Sequence, residues 1–190
     1  MKYFIKVALL FAVVFYSGCS TKSVKKPVLT KTHINIEGIT APRKIGDYEL
    51  QSQKCYENKN LGIALRYANN KSKNAFLDCF VYPRGSDKDL QTHYDSFMSA
   101  LKFMSKKGEF RSFEIIKEDE VMLDSSTKAK RALFRITNKS LPYYSVAYIA
   151  EVDNHFFKVR ISNQLVDSFL SSDLGWDATK KLFQTVKLSK

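Results

Sequence analysis

The side chains able to do chemistry are few: three cysteines, three histidines and a carboxylate set among aromatic rings. Cys19 closes the run Phe15-Tyr16-Ser17-Gly18-Cys19, so its thiol ends an apolar stretch behind two small residues. Cys55 and Cys79 lack the C-x-x-C spacing of a redox pair. His33, His93 and His155 stand in no metal-ligand spacing such as H-E-x-x-H, and no metal or cofactor is expected. Asp89 and His93 are four residues apart on a predicted helix, where a capping carboxylate and a surface imidazole explain them. His155 lies beside a turn and would end an apolar hairpin face. There is no G-x-S-x-G nucleophile turn and no glycine-rich phosphate loop. Asp78 stands between Phe76 and Phe80 on one strand face. Burial would raise its pKa and suit it to acid or base work; a lone carboxylate at a strand's polar edge is the plainer reading. No catalytic residue is assigned.

The elements that would position these groups begin with an export segment. Lys2 and Lys6 precede an unbroken apolar run from Val7 to Tyr16, followed by the small residues Ser17 and Gly18. This is a secretory signal pattern. The run is too short for a spanning helix, which needs about 20 apolar residues. A small residue followed at once by Cys resembles the lipobox of bacterial lipoproteins. Tyr16 stands where that family usually has Leu. The resemblance implies a diacylglyceryl group on Cys19, cleavage just before it and acylation of the new amine, with palmitate among the attached chains. Ser20, rather than Asp, follows the Cys; in a Gram-negative cell this implies the outer membrane, facing the periplasm. Each buried methylene contributes about 0.8 kcal/mol, so one chain holds weakly and two or more hold firmly. The expected organisation is a signal peptide over 1–18, a basic flexible tether over 19–33 and one domain over 34–190.

The chain of 190 residues carries a net charge of +12. Lys2 and Lys6 leave with the signal, so the mature charge is 12 − 2 = +10. After export, basicity points to anionic headgroups, lipopolysaccharide phosphates or acidic wall polymers rather than to nucleic acid. With Cys19 lipidated, two thiols remain in an oxidising compartment. They suggest a Cys55–Cys79 disulfide, the alternative being two buried free thiols. Closing a loop of about 25 residues would stabilise by roughly 3 kcal/mol in the chain-entropy model.

Along the chain, Tyr48 to Tyr56 and Leu61 to Ala68 read as strands. Ala75 to Tyr82 is apolar on both faces and suits a central strand. Ser86 and Asp89 have the spacing of a capping box. Leu90, Tyr94, Phe97, Leu101 and Met104 then form one helical stripe that Gly108 ends. Phe113 to Lys117, Glu120 to Leu123 and the stretch around Ala132, Phe134 and Ile136 read as further strands. Tyr143 to Val152 and His155 to Ser162 read as a hairpin turning at Asp153-Asn154, with Val152 opposite His155 and Val146 opposite Ile161. Gln164 to Leu174 and Asp177 to Val186 read as helical, with Leu182, Phe183 and Val186 facing inward.

The predicted class is α+β: an antiparallel sheet with packed helices, in the order strands, helix, strands, helix. This order resembles the PsbP-like fold. The matching features are Gly62-Ile63-Ala64-Leu65-Arg66-Tyr67 as an early strand, the helix after Pro83, and the closing Leu182-Phe183-Gln184-Thr185-Val186. The resemblance implies a non-catalytic accessory or binding protein. A candidate anion-binding surface follows if Lys130 to Thr137 pairs with Tyr143 to Val152. One sheet face would then carry Arg131 and Arg135 on one side and Lys158 and Arg160 on the other, able to hold phosphate or carboxylate. Three functions stay open. The first is a membrane-anchored envelope module binding a protein partner or an anionic component. The second is a carrier of a small apolar ligand, suggested by Tyr67, Phe80, Tyr82, Phe97 and Phe103. The third is an envelope hydrolase using Asp78 or a histidine.

Overall fold

The computed structural model describes residues 28–29, 32–72, 74–85, 89–137, 142–163 and 175–188. The export segment with Cys19, Ser86 of the expected capping box and the expected helix over Gln164 to Leu174 lie outside the described residues. The described elements are strands β1 (Val28–Leu29), β2 (His33–Ile36), β3 (Ile39–Pro42), β4 (Lys44–Ile45), β5 (Tyr48–Cys55), β6 (Ile63–Asn69) and β7 (Phe76–Pro83). Helix α1 (Leu90–Lys106) follows. Then come β8 (Ser112–Met122), β9 (Lys128–Thr137), β10 (Pro142–Val152), β11 (His155–Asn163), helix α2 (Trp176–Thr185) and β12 (Lys187–Leu188).

Eight strands form one antiparallel sheet in the order β4-β5-β6-β7-β11-β10-β9-β8. β7 lies in its interior, as its two apolar faces require. A smaller sheet, β1-β2-β3-β12, packs on one face together with α2. Between them sit Ile34, Ile36, Tyr67, Leu77, Cys79, Tyr148, Phe157, Val159, Ile161 and Leu182. On the opposite face α1 sets Tyr94, Phe97, Met98 and Leu101 against Ala132, Phe134, Ile136, Ala147 and Ile149.

Helices therefore cover less of the sheet than expected. Only two are described, and a second sheet shares the work of covering one face. That sheet begins inside the stretch expected as tether, where Val28 pairs with Asn35. Its strands are two to four residues long. Such short pieces carry no readable periodicity, and their partners are brought together from both ends of the chain.

Several local expectations match the structure. Tyr94, Phe97, Leu101 and Met104 are all buried on α1. The β10–β11 register pairs Val152 with His155 and Val146 with Ile161. Asp153 and Asn154 both take left-handed conformations, with φ of 47° and 60°. A two-residue turn of this handedness matches the twist of the strands it joins. Others differ. Asp89 caps α1 as expected, but as the N-cap itself rather than as the third residue of a box begun by Ser86, its carboxylate accepting from the Thr92 N–H. The two strand pieces after Phe113 are one strand, β8, with a register shift between Ile115 and Lys117 that hides its continuity.

The expected disulfide does not form: Cys55 and Cys79 are free thiols. Cys55 pairs with Ile63, and Ile63 with Val81, so β6 stands between the two cysteine strands. Two strand spacings of about 4.8 Å and an offset of two residues along the strand put the cysteines about 12 Å apart. That exceeds the roughly 7 Å Cα separation a disulfide can bridge. Burial pushes the Cys79 thiol up to about 12.

Candidate functional site

One cluster of buried and half-buried charges lies on the sheet face that α1 packs against. Arg66, Asp78 and Arg160 lie directly opposite one another on β6, β7 and β11. Antiparallel pairing thus makes a cation–anion–cation row across three strands. The Arg66 fork donates to both Asp78 oxygens, at 2.6 and 2.9 Å. Arg160 stands 3.5 Å from the same carboxylate. Asp78 is buried, so a charged form there depends on these partners.

Lys158 lies one position up the strand face from this row. It is buried, and its amine is 4.6 Å from the Phe80 ring, 5.5 Å from Phe97 and 5.8 Å from Tyr82. The ring faces favour the ammonium, while burial opposes it. Burial, aided by the neighbouring Arg160 charge and opposed by Asp78, pulls the amine down to about 7. His93 completes the enclosure. It is buried rather than on the helix surface, and it stacks on Phe156 at 4.1 Å between ring centres. Its Nε2 is 2.5 Å from the Tyr82 hydroxyl. Burial raises the Tyr82 phenol, so the hydroxyl stays protonated.

The four cations expected to share one surface do not. Tyr144 lies opposite Arg135 and Tyr148 opposite Arg131, whereas Ala147 lies opposite Arg160 and Ile149 opposite Lys158. The side-chain period of two therefore sends Arg131 and Arg135 to one face and Lys158 and Arg160 to the other. Each arginine is also engaged. Arg131 makes a two-pronged pair with Asp119, at 2.7 and 2.6 Å, and Arg135 reaches Glu114 at 2.6 Å. The hydrogen bond from Arg131 holds the Asp119 carboxyl down to about 2. Lys130 pairs with Glu120 on the same two strands.

The other chemistry-bearing residues stand apart. His33 meets the Thr32 hydroxyl at 2.9 Å, and His155 Nδ1 is 2.8 Å from the Asp153 carbonyl. Among the described residues no three His, Cys, Asp or Glu side chains converge as metal ligands. The aromatic load is divided. Tyr67 is buried on the face under α2, its hydroxyl donating to the Pro42 carbonyl at 2.9 Å. Phe80, Tyr82 and Phe97 surround Lys158 on the other face, and Phe103 is exposed.

Sequence reasoning missed Arg66 and the acidic partners on β8. Their signal was opposite charge at matched strand positions, which becomes visible only once strands are paired. As chemistry, the cluster offers charge-assisted hydrogen bonds and an enclosed amine. It fixes β6, β7 and β11 to one another.

No family model matches the chain, and no curated protein sequence matches it. Several solved structures are similar in chain path. A cyanobacterial PsbP from Synechocystis is 9% identical, covering 91% of this chain and 98% of its own, with a TM-score of 0.49. The Ran-binding protein Mog1p of Saccharomyces cerevisiae is 11% identical, covering 82% of this chain and 94% of its own, with a TM-score of 0.47. The immunity protein TplEi of Pseudomonas aeruginosa is 9% identical, covering 87% of this chain and 53% of its own, with a TM-score of 0.44. At these identities and scores the likenesses carry no argument about what this chain binds.

Proposed function

We propose that the chain is an exported lipoprotein of the cell envelope, anchored through lipid on Cys19, whose folded part is a non-catalytic binding module. The observation that carries this reading is the short distance between the lipobox-like Cys19 and the first strand. Pairing begins at Val28, and 28 − 19 = 9 residues span about 30 Å when fully extended. A fold tied to a bilayer at Cys19 would work close to that surface.

The site supports the second half of the reading. Asp78, the carboxylate best placed for acid–base work, is clasped by Arg66 and stands beside Arg160. Arg131 and Arg135 are paired with acids of β8. Those groups hold the sheet together, which leaves recognition to the outer surface. The partner is an envelope protein or an anionic envelope component. In a Gram-negative cell the anchor would place it at the outer membrane, facing the periplasm.

Metabolic labelling with a palmitate analogue, followed by membrane fractionation, tests the anchor. The native chain takes up label and sediments with membranes, whereas Cys19→Ala takes up none and keeps its uncleaved N-terminal segment. A native chain that is soluble and unlabelled would overturn the anchor. Turnover of an envelope substrate by the purified protein would overturn the non-catalytic half.

A further inference from the structure

The outward side of the second half of α1 gathers exposed cations around an exposed aromatic ring. It carries Lys102, Phe103, Lys106 and Lys107, and Arg111 follows just beyond the helix. All five side chains are exposed. At about 100° per residue the three helical positions and the C-cap Lys107 span roughly 140° of the helix surface. They lie opposite the buried arc of Phe97, Leu101 and Met104.

The cations of the sheet face and of β9 are engaged: Arg66 and Arg160 at Asp78, and Lys130, Arg131 and Arg135 with acids of β8. Among the described residues Lys102, Lys106, Lys107 and Arg111 enter no ion pair. Glu109 is the only acidic residue between Lys102 and Arg111. Within this cationic group stands Phe103, 46% exposed, with the Lys107 amine 5.5 Å from its ring centre. Large apolar side chains this exposed are rare among the described residues; Ile116 and Met122 are the others.

We propose that this patch docks on an anionic phospholipid bilayer. The inference deepens the envelope-binding reading and rests on it. The ring supplies an apolar group that enters the boundary between headgroups and acyl chains, and the cations meet lipid phosphates around it. Three of the four cations are lysines, point charges on flexible stems. They suit laterally mobile headgroups, where an interface reading fixed carboxylates favours the rigid arginine fork.

The test uses the full chain inserted in vesicles through its apolar N-terminal segment, so that attachment is the same in every arm. Phe103→Trp reports contact through quenching by lipids with brominated tails, and the native chain, with Trp176, gives the baseline. The expected result is extra quenching in vesicles containing phosphatidylglycerol, little in pure phosphatidylcholine, and loss of the difference in high salt. Each cation near an anionic surface favours docking by roughly fivefold. Adding Lys102→Gln and Lys106→Gln therefore lowers the docked-to-free ratio by about 25-fold. Equal quenching in the two lipids, or none in either, overturns the proposal. Attachment here is made in vitro, so the result stands apart from lipidation at Cys19 in cells.

Discussion

Lys158 puts an amine where water does not reach, and its protonation is tied to stability. Burial holds the folded amine near 7, below the unfolded value of 10.5. Between those values the unfolded chain binds more protons than the folded one, so stability rises with pH through this window. It is fullest above the unfolded value and is lost as pH falls through the folded one. Lys158→Met keeps the length of the side chain and removes the charge. It should stabilise the fold at pH 7 by on the order of a few kcal/mol and flatten the rise. Urea unfolding of both chains at pH 7 and pH 9 measures this; an unchanged pH slope would rule it out. The sequence named Lys158 and Arg160 but grouped them with Arg131 and Arg135. Residue type was legible; face was not, because a shift of one position in strand register moves every side chain to the other side.

Among the elements, the entry to β6 depends on one residue. Gly62 has φ 61° and ψ −133°, a region that essentially only glycine enters. A Cβ built there would lie 1.9 Å from the Val81 carbonyl oxygen and 2.6 Å from the Tyr82 Cα. Neither backbone atom can yield without breaking the β6–β7 pairing. Gly46, with φ of 58°, has nothing within 4 Å of such a Cβ. Gly46→Ala should cost about 1 kcal/mol, for the left-handed conformation alone. Gly62→Ala should cost several times more, adding overpacking to strain. Denaturant midpoints of the two variants give the comparison, and similar losses would show that the close approach relaxes freely. Elements with an internal signal were legible: α1 by its apolar stripe, the β10–β11 hairpin by alternation and its Asp153-Asn154 turn. β8 was split in two because its register shift interrupts the alternation. The strands of the small sheet were missed because two to four residues establish no period.

At the scale of the whole molecule, α1, the eight-stranded sheet and the small sheet with α2 form three layers. They hold together without a link between Cys55 and Cys79. Thermal unfolding should therefore be the same with and without reductant, whereas a disulfide closing a loop of about 25 residues would be worth roughly 3 kcal/mol. Alkylation of the denatured, unreduced chain should modify both cysteines; protection of the pair would restore the disulfide. Sequence alone determined the apolar run ending at Cys19, the net positive charge, the α+β order and the elements whose apolar residues repeat with a helical or strand period. Those properties are local, set by neighbours within a turn or a strand. Tertiary structure alone decided which strands are adjacent. On that adjacency depended the separation of Cys55 from Cys79, the row formed by Arg66, Asp78 and Arg160, the division of the arginines between two faces, and the second sheet. Each is a relation between residues far apart in the chain, fixed by pairing register and layer packing rather than by the identity of any one residue.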